Sequence, residues 1–175
     1  MGIEIERTFL LNKPGDDNWL KHTNALIEIK QGYIAQGYGN TVRVREAITR
    51  DPGTMETSEI SRRVGIKGKP KGIVTPEIEA RVTKMQFNHL YELCESRVID
   101  KTRYIVPIAK HVFEIDVYKG VLAGLVTIDI ELAAADEAIV MPSWIGEEIT
   151  GRKEYTNHDL ALKGLPQHFV TWWTS

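Results

Sequence analysis

The chain is short of cysteine, of long apolar runs and of net charge, and each shortage excludes a class of protein. Cys94 is the single cysteine, so neither a disulfide framework nor a cysteine metal cluster can form within the chain. No apolar run reaches the length of a membrane span, and the first residues are charged from Glu4 onward, unlike the apolar core of a signal peptide. We therefore expect a cytoplasmic protein that does not enter the membrane.

Charges of the two signs almost cancel. The 175 residues include 22 of Lys and Arg and 24 of Asp and Glu, which gives a formal net charge of -2. This balance argues against a dedicated nucleic-acid binder and against a polybasic membrane binder. The hydrophobic content of 42% is that of a globular chain, and the length suits a single domain over residues 1–175 with a sizeable core.

Charged and apolar residues alternate along most of the chain, which is typical of half-buried β-strands. In residues 77–82, for example, Glu77, Glu79 and Arg81 occupy every second position, with apolar residues between them. Glycine-rich and proline-rich turns separate the segments and favour antiparallel connections. The pattern predicts about eight strands, over residues 3–10, 32–36, 41–46, 60–67, 77–82, 98–106, 112–118 and 126–132.

Helices are predicted at fewer places. Residues 83–95 carry apolar side chains at helical spacing from Phe87 to Cys94, and Thr83 with Gln86 forms a capping box at the start. Cys94 falls on the apolar side of this helix, so we expect it in the core.

Weaker patterns suggest a second helix over residues 16–30 and short helical turns at 136–139 and 158–162. The expected fold class is therefore α+β, mainly β, with a few flanking helices.

Like charges recur at alternate positions of the same predicted strand. Such residues share one face of the strand at roughly 6.5–7 Å from each other. A sheet with one face in water accounts for the charges of any single strand, but a solvated face usually mixes the two signs because neighbouring like charges repel. The like-charged pairs are Glu4/Glu6, Arg43/Arg45, Glu77/Glu79, Lys101/Arg103, Glu114/Asp116 and Asp129/Glu131.

Ligands of opposite charge would relieve this repulsion. Carboxylate pairs suit a hard divalent cation, and paired Arg and Lys side chains suit a polyanion such as a phosphate chain. If the sheet closes, the charged face lines a polar interior. Metal ions beside a row of cations can support phosphoryl transfer, so the residues are compatible with that chemistry and leave open a face that is only solvated.

The same residues resemble, in order along the chain, the motifs of the CYTH superfamily, also called triphosphate tunnel metalloenzymes. Glu4-Ile5-Glu6 is similar to the first part of the family's ExExK signature. The resemblance covers nearly all of residues 2–163 and continues through residues 31–33, 42–45, 65–67, 77–79, 101–104, 113–118, 129–131, 144–150 and 155–157.

The resemblance implies a fold and an activity. The fold is an eight-stranded antiparallel closed β-barrel, or tunnel, in which residues 143–175 form a C-terminal helical plug and tail. The activity is hydrolysis of a linear triphosphate with Mg²⁺ or Mn²⁺ as cofactor. Inorganic tripolyphosphate is the first expected substrate, and ATP and thiamine triphosphate are others. A homodimer is also allowed.

The resemblance also implies roles for individual residues. The first-choice metal ligands are Glu4, Glu6 and Glu131, followed by Glu114 and Asp116 for a second ion. The residues implied to grip the substrate phosphates are Arg43, Arg45, Lys67, Lys101 and Arg103. Those implied to act in catalysis are Glu79, Asp129 and Lys101.

Two alternative functions stay open. A class IV adenylate cyclase would hold ATP with the same charged residues and let the ribose hydroxyl attack in place of water. A non-catalytic protein would bind polyphosphate or a nucleotide without turning it over.

The second alternative is motivated by two departures from the family pattern. Thr8 stands at the Lys position of ExExK, and Thr75 stands where relatives often carry Arg. Cations that could replace the missing ones are Arg63, Lys69 and Lys71. Because the alternation directs Arg7 outward, Arg7 cannot do so.

A third departure involves Arg152 and Glu154, whose charges are swapped relative to the family pattern. The swap would preserve an ion pair between the two residues, so we predict a structural role for them.

Overall fold

The computed structural model describes residues 5–13, 15–37, 40–68, 77–134, 136–167 and 169. Its nine strands and two α-helices follow in chain order, with single 3-10 turns at Leu20–His22, Gly120–Leu122 and Lys153–Tyr155. The elements are β1 (Ile5–Leu11), β2 (Ala25–Gly37), β3 (Asn40–Arg50), β4 (Thr57–Lys67), β5 (Glu77–Arg81), α1 (Lys84–Glu92), β6 (Val98–Ile108), β7 (His111–Tyr118), β8 (Val126–Leu132), β9 (Ile145–Glu148) and α2 (Asn157–Lys163).

All nine strands belong to one antiparallel sheet in the order β5-β4-β3-β2-β6-β7-β8-β1-β9. Within the described ranges no hydrogen-bonded pairing joins β5 to β9, so the sheet is open. The prediction of a closed eight-stranded barrel is therefore wrong, although the mainly β, antiparallel character is confirmed. Alternation shows which side chains share a face, whereas closure depends on strand tilt and stagger, which the pattern does not contain.

The ninth strand lies in a segment that was expected to be helical. Ile145–Glu148 pairs with β1 through Phe9↔Glu148 and Leu11↔Ile145, with an irregular register between the two pairs. It is only four residues long, too short for the alternation to reveal it. The plug assigned to residues 143–175 thus includes the strand β9 as well as the helix α2.

The predicted helix over residues 16–30 is also wrong. One 3-10 turn is present, and the chain then enters β2, a strand of 13 residues that includes the strand predicted at 32–36. Between Ala25 and Gly32 this strand pairs on both sides, with β3 and with β6, and Ile29 is fully buried. Pairing on both edges outweighed a weak helical spacing.

The helix predicted at 83–95 is confirmed over Lys84–Glu92, including its capping box between Thr83 and Gln86. Phe87 of α1 is buried against Val44 and Cys94, so the thiol lies in the core as expected. Residues 136–139 contain no helix, whereas the turn predicted at 158–162 falls within α2. No helix in the described ranges has the length and apolar character needed to cross a bilayer.

The apolar side chains bury two opposite regions of the sheet. The largest cluster covers the face away from the charges and includes Phe9, Phe113 and Trp144. A second cluster lies on the charged face itself, where Tyr118 packs with Tyr155 and Leu160 of the C-terminal segment. Because of this second cluster, the C-terminal segment is anchored over one end of the charged face.

Candidate active site

The strand register brings the charged residues onto one face of the sheet. Directly paired residues of antiparallel strands project on the same side. The pairs Glu6↔Glu131 and Glu114↔Asp129 join the acids of β1, β7 and β8, and Arg103↔Asp116 joins them to β6.

On the other side of β2, the same face continues through Arg45↔Arg63 and Lys67↔Glu77. The single charged face inferred from the alternation is confirmed in the described strands.

A cavity of about 500 Å³ lies between this face and the C-terminal segment. Its wall contains two acids and three bases of the sheet, and the C-terminal segment adds polar and aromatic groups. The lining from the sheet is Glu6, Thr8, Gln31, Tyr33, Thr41, Arg43, Lys67, Arg103, Tyr118, Thr127 and Asp129, and the lining from the C-terminal segment is 149–152 and 155–158.

Arg103 stands at the centre of a cluster of carboxylates. Its Nε and Nη2 lie 2.8 Å and 2.7 Å from the two oxygens of Asp116, and Nη2 lies 3.4 Å from Asp129. Nη1 also donates to Glu114. Burial alone would lower the pKa of Arg103, but the hydrogen bonds and charges of these acids raise it further above its ordinary value. The guanidinium is a fixed positive charge that holds three carboxylates in place.

Lys101 lies behind the lining of the cavity. It is only 3% exposed, and its Nζ contacts Asp116 Oδ2 at 2.5 Å and Asn157 Oδ1 at 3.1 Å. Burial lowers the pKa of Lys101, and the Asp116 carboxylate opposes that shift. Burial would raise the pKa of Asp116, but Lys101 and Arg103 outweigh it and keep the pKa below its ordinary value. Both groups therefore form a buried ion pair.

Glu6 and Glu131 form the acidic end of the face. Neither makes an ion pair among the described residues. Partial burial and the nearby Asp129 raise the pKa of Glu6 to about 7, and Glu114 and Glu131 add to the shift. Crowded carboxylates that lack a cation of their own are a favourable place for a metal ion.

Asp129 borders two cavities. It lines the main one and also a second of about 230 Å³ that contains Glu114 and Glu131. Burial and the neighbouring Asp116 raise the pKa of Asp129, while Arg103 and a hydrogen bond with Thr8 oppose the rise. Thr8, which replaces the family's lysine, is thus an uncharged neighbour of this acid.

The basic side of the face is more open. Arg43 Nη2 lies 2.7 Å from Glu77 and 3.1 Å from Glu79, and Arg63 Nη1 lies 2.9 Å from Glu79. Although partial burial acts to raise the pKa of Glu79, hydrogen bonds from both arginines lower it. Glu79 lies beside the cavity and is absent from its lining.

Arg45 and Lys67 are the remaining predicted phosphate ligands. Lys67 lines the cavity, and no ion pair involves it in the described part of the chain. The Nε of Arg45 is buried without a hydrogen-bond partner among the described residues. Burial, together with the positive charges of Arg103 and Arg43, lowers the pKa of Arg45. An orphaned guanidinium donor of this kind favours the approach of an anion.

The structure shows where several residues lie that were discussed in connection with the departures from the family pattern. Arg7 points to the far side of the sheet, as predicted, and pairs with Glu148 at 2.6 Å. Arg152 and Glu154 form the expected ion pair at 3.1 Å, although Arg152 also lines the cavity. Glu4, Lys69, Lys71 and Thr75 lie outside the described residues.

Most of the uncharged residues that line the cavity were not predicted from the sequence. Tyr33, whose pKa burial raises to about 12, accepts a hydrogen bond from the buried Gln31 at 2.9 Å. Tyr118, Asn157 and His158 also line the cavity. The charge pattern carried no sign of these groups, because they are uncharged or lie outside the alternating strands.

Among the described residues, only some of the predicted metal ligands are free to bind a divalent ion. No group of three or more His, Cys, Asp or Glu side chains in the described ranges is arranged to hold a metal. The carboxylates of Glu114, Asp116 and Asp129 already form ion pairs with Arg103. Glu6 and Glu131 lie opposite each other on neighbouring strands and can supply oxygen ligands. These two carboxylates fit a hard divalent ion.

Comparisons with known proteins agree with this geometry. No family model matches the chain. An inorganic triphosphatase of Acetivibrio thermocellus is 32% identical over 161 residues, which are 91% of this chain and 94% of that protein. An inorganic triphosphatase of Nitrosomonas europaea is 36% identical over 163 residues, which are 91% of this chain and 97% of that protein.

A solved crystal structure of an inorganic triphosphatase superposes with a TM-score of 0.68 and 27% identity, covering 95% of this chain and 99% of the other. The match covers nearly the whole of both chains, so fold and sequence lead to the same relatives. The chain therefore belongs to the family of these inorganic triphosphatases, the triphosphate tunnel metalloenzymes of the CYTH superfamily.

Proposed function

We propose that this protein hydrolyses a linear triphosphate, in the first place inorganic tripolyphosphate, with Mg²⁺ or Mn²⁺ as cofactor. The observation that carries the proposal is the cavity of about 500 Å³, which has acids at one end of a sheet face and bases at the other. A linear triphosphate is long enough to contact the bases directly at one end and the acids through a bound metal ion at the other. The names of the relatives, which are inorganic triphosphatases, support the same substrate.

The bases of the lining would bind the phosphate oxygens. Arg43, Lys67 and Arg103 line the cavity, and Arg45 lies on the same face with a buried Nε that has no hydrogen-bond partner among the described residues. Guanidinium groups match phosphate oxygens in both charge and geometry. Arg103 is held by three carboxylates and does not have to be reorganised when a phosphate arrives, which favours stabilisation of negative charge during the reaction.

The metal would be held by Glu6 and Glu131, with Glu4 as the third ligand expected from the family signature. Glu114 and Asp116 are proposed as ligands of a second ion, which would compete with Arg103 for their oxygens. A divalent ion bound there offsets the negative charge that develops on the phosphate oxygens.

Asp129 is proposed to orient the attacking water. It lies between the paired acids Glu6 and Glu131 and the cation Arg103, and it faces the cavity. Glu79 and Lys101, also predicted to be catalytic, lie outside the lining. We propose that each supports a neighbour: Glu79 holds Arg43, and Lys101 holds Asp116.

The test is release of orthophosphate from tripolyphosphate with Mg²⁺, with Mn²⁺ and with EDTA, alongside ATP and an assay for cyclic AMP. Rapid release that needs the metal, with little release from ATP and no cyclic AMP, is the expected result. Formation of cyclic AMP would replace the hydrolase with a cyclase. Binding of tripolyphosphate without turnover would make the protein a non-catalytic binder.

The homodimer, the cytoplasmic location and the single-domain organisation with a plug over residues 143–175 stay predictions. Sedimentation equilibrium measures the first directly. Limited proteolysis tests the last, because a single domain would yield no stable fragment.

A further inference from the structure

Asn157 is held rigidly at the edge of the cavity. It is the first residue of α2 and follows Thr156, whose hydroxyl accepts a hydrogen bond from the backbone nitrogen of Asp159 at 3.2 Å. On either side, Tyr155 and Leu160 are buried in the cluster that anchors the C-terminal segment. The backbone of Asn157 is therefore fixed, and the side chain lines the cavity.

Two donors determine which way the amide of Asn157 points. Lys101 Nζ lies 3.1 Å and Tyr118 OH lies 3.0 Å from Asn157 Oδ1. An ammonium group has three donors and no acceptor, so the amide atom that faces it must be the oxygen. The flip of the amide, which is often ambiguous, is settled here by chemistry.

With the oxygen turned inward, the amide nitrogen occupies the other branch of the side chain. Among the described residues it donates no hydrogen bond, although the residue lines the cavity. Two N–H donors with a fixed direction are thus presented to the cavity without an acceptor in the part of the chain that the structure describes. Such preorganised donors bind an anion at little cost in conformational entropy.

We propose that the Asn157 amide nitrogen donates a hydrogen bond to a phosphate oxygen of the bound triphosphate, and that Lys101 and Tyr118 are positioning residues that orient it. The inference rests on the proposed function. It assigns a substrate contact to the C-terminal segment, whereas the phosphate-binding residues proposed from the sequence all lie on strands of the sheet.

The buried network explains how this donor is coupled to the charged centre. Arg103 binds Asp116, Asp116 binds Lys101, and Lys101 binds Asn157, through contacts of 2.7, 2.5 and 3.1 Å. Lys101 is 3% exposed and Asp116 is fully buried, so neither can exchange its partner for water. Phosphate-binding groups on β6 and on α2 are therefore held in one connected arrangement.

The decisive variant is Asn157→Asp. It keeps an oxygen for Lys101 and Tyr118 and replaces the two donors with a second oxygen that repels phosphate. Affinity for tripolyphosphate, measured by calorimetry in EDTA and again with Mg²⁺, should fall about tenfold or more, as expected for the loss of a hydrogen bond to a charged group. Asn88→Asp, on the exposed side of α1 and outside the cavity lining, is the control for the change in net charge and should bind like the unmodified protein.

Asn157→Leu removes the donors without adding charge, although it also removes the oxygen that accepts from Lys101 and Tyr118, and it serves if Asn157→Asp does not fold. It should weaken binding about threefold to tenfold. Asn157→Asp retains the oxygen that accepts from Lys101 and Tyr118, so normal binding of tripolyphosphate by this variant overturns the proposal. Unchanged binding by both variants overturns it as well.

Tyr118→Phe tests the positioning role. It removes one of the two bonds that orient the amide and should raise KM about threefold while leaving kcat within twofold. A fall in kcat as large as the rise in KM would contradict the proposal. The main test measures binding and not turnover. Absence of tripolyphosphate hydrolysis would therefore refute the proposed function, whereas the Asn157 contact would still be decided by the binding measurements.

Discussion

The charged face has two regions that contain similar residues in different surroundings. On β6 and β7 the charged groups are buried: the side chain of Arg103 is 16% exposed, and the side chains of Lys101 and of Asp116, which binds both cations, are almost fully buried. On β3, β4 and β5 the ion pairs reach solvent, because Arg43 is 26% exposed and Arg63 is 47% exposed.

The contrast teaches that one side of the site is built into the core and the other is open to a ligand. A buried ion pair is costly to break, since the remaining partner is left uncompensated in a poorly solvated place. An exposed pair contributes little to stability and can exchange partners when an anion arrives. We therefore expect substitutions in the first region to affect folding and those in the second to affect binding.

The largest effect is expected from Arg103→Met. It leaves Glu114, Asp116 and Asp129 without their shared cation, and the free energy of unfolding should fall by about 3–5 kcal/mol. Urea unfolding measures the change. Arg63→Ala, in the open region, should cost about 1 kcal/mol or less. Equal losses in the two variants would remove the distinction between the regions.

Glu131→Gln should weaken metal activation. It removes one carboxylate of the Glu6↔Glu131 pair without disturbing an ion pair among the described residues. The Mg²⁺ concentration for half-maximal activity should rise about tenfold or more for one lost charged ligand. An activation curve like that of the unmodified protein would move the metal site elsewhere.

Arg43→Ala should weaken substrate binding more than folding. The guanidinium lines the cavity and is shared by Glu77 and Glu79, both of which have partial access to water. KM for tripolyphosphate should rise about tenfold, while the free energy of unfolding changes by about 1 kcal/mol or less. A large loss of stability with an unchanged KM would place Arg43 among the structural residues.

Glu6 should make metal binding depend on pH. Its pKa is raised to about 7, so below pH 7 the apoprotein holds a proton that the metal must displace. The apparent Mg²⁺ affinity should therefore increase from pH 6 to pH 8, and Glu6→Gln should weaken binding and flatten that dependence. Calorimetry in buffers of different ionisation enthalpy would detect the released proton, and its absence would contradict the prediction.

The raised pKa of Glu6 also predicts how the stability of the metal-free protein changes with pH. Because the pKa of Glu6 is raised in the folded protein, the fold binds this proton more tightly than the unfolded chain does. The contribution of Glu6 to stability without metal is thus full below about pH 4.5 and is lost as the pH rises towards 7. Thermal unfolding in EDTA should show a decline that Glu6→Gln removes.

The smallest effect is expected from Arg7→Ala on the opposite face. Its pair with Glu148 is partly exposed, and neither residue lines the cavity. The free energy of unfolding should fall by less than about 1 kcal/mol, and kcat and KM should not change. A change in KM would mean that β9 communicates with the charged face.

Much of the fold could be predicted because strand faces are a local property. Side chains alternate from one face to the other, so Arg43, Lys101 and Asp129 could be assigned to the charged face before their partners were known. The helix after Thr83 was equally readable, because its cap and apolar spacing lie within one short segment.

The failures involve structure that distant residues decide. β2 formed where a helix was predicted because β3 and β6 pair with both of its edges. The barrel was predicted closed because the resemblance to the CYTH superfamily implies a tunnel, yet β5 and β9 end as the edges of an open sheet in the described residues. Neither result could be read from the segments themselves.

The sequence by itself determined the charged face, its division into acidic and basic strands and the family to which the chain belongs. Only the tertiary structure decided which charges are available. It buries Lys101 against Asp116, leaves Lys67 in the cavity and turns the Asn157 amide toward Lys101. The physical reason is that the period of a strand specifies direction, whereas burial and partner choice depend on what packs above the face, here the C-terminal segment.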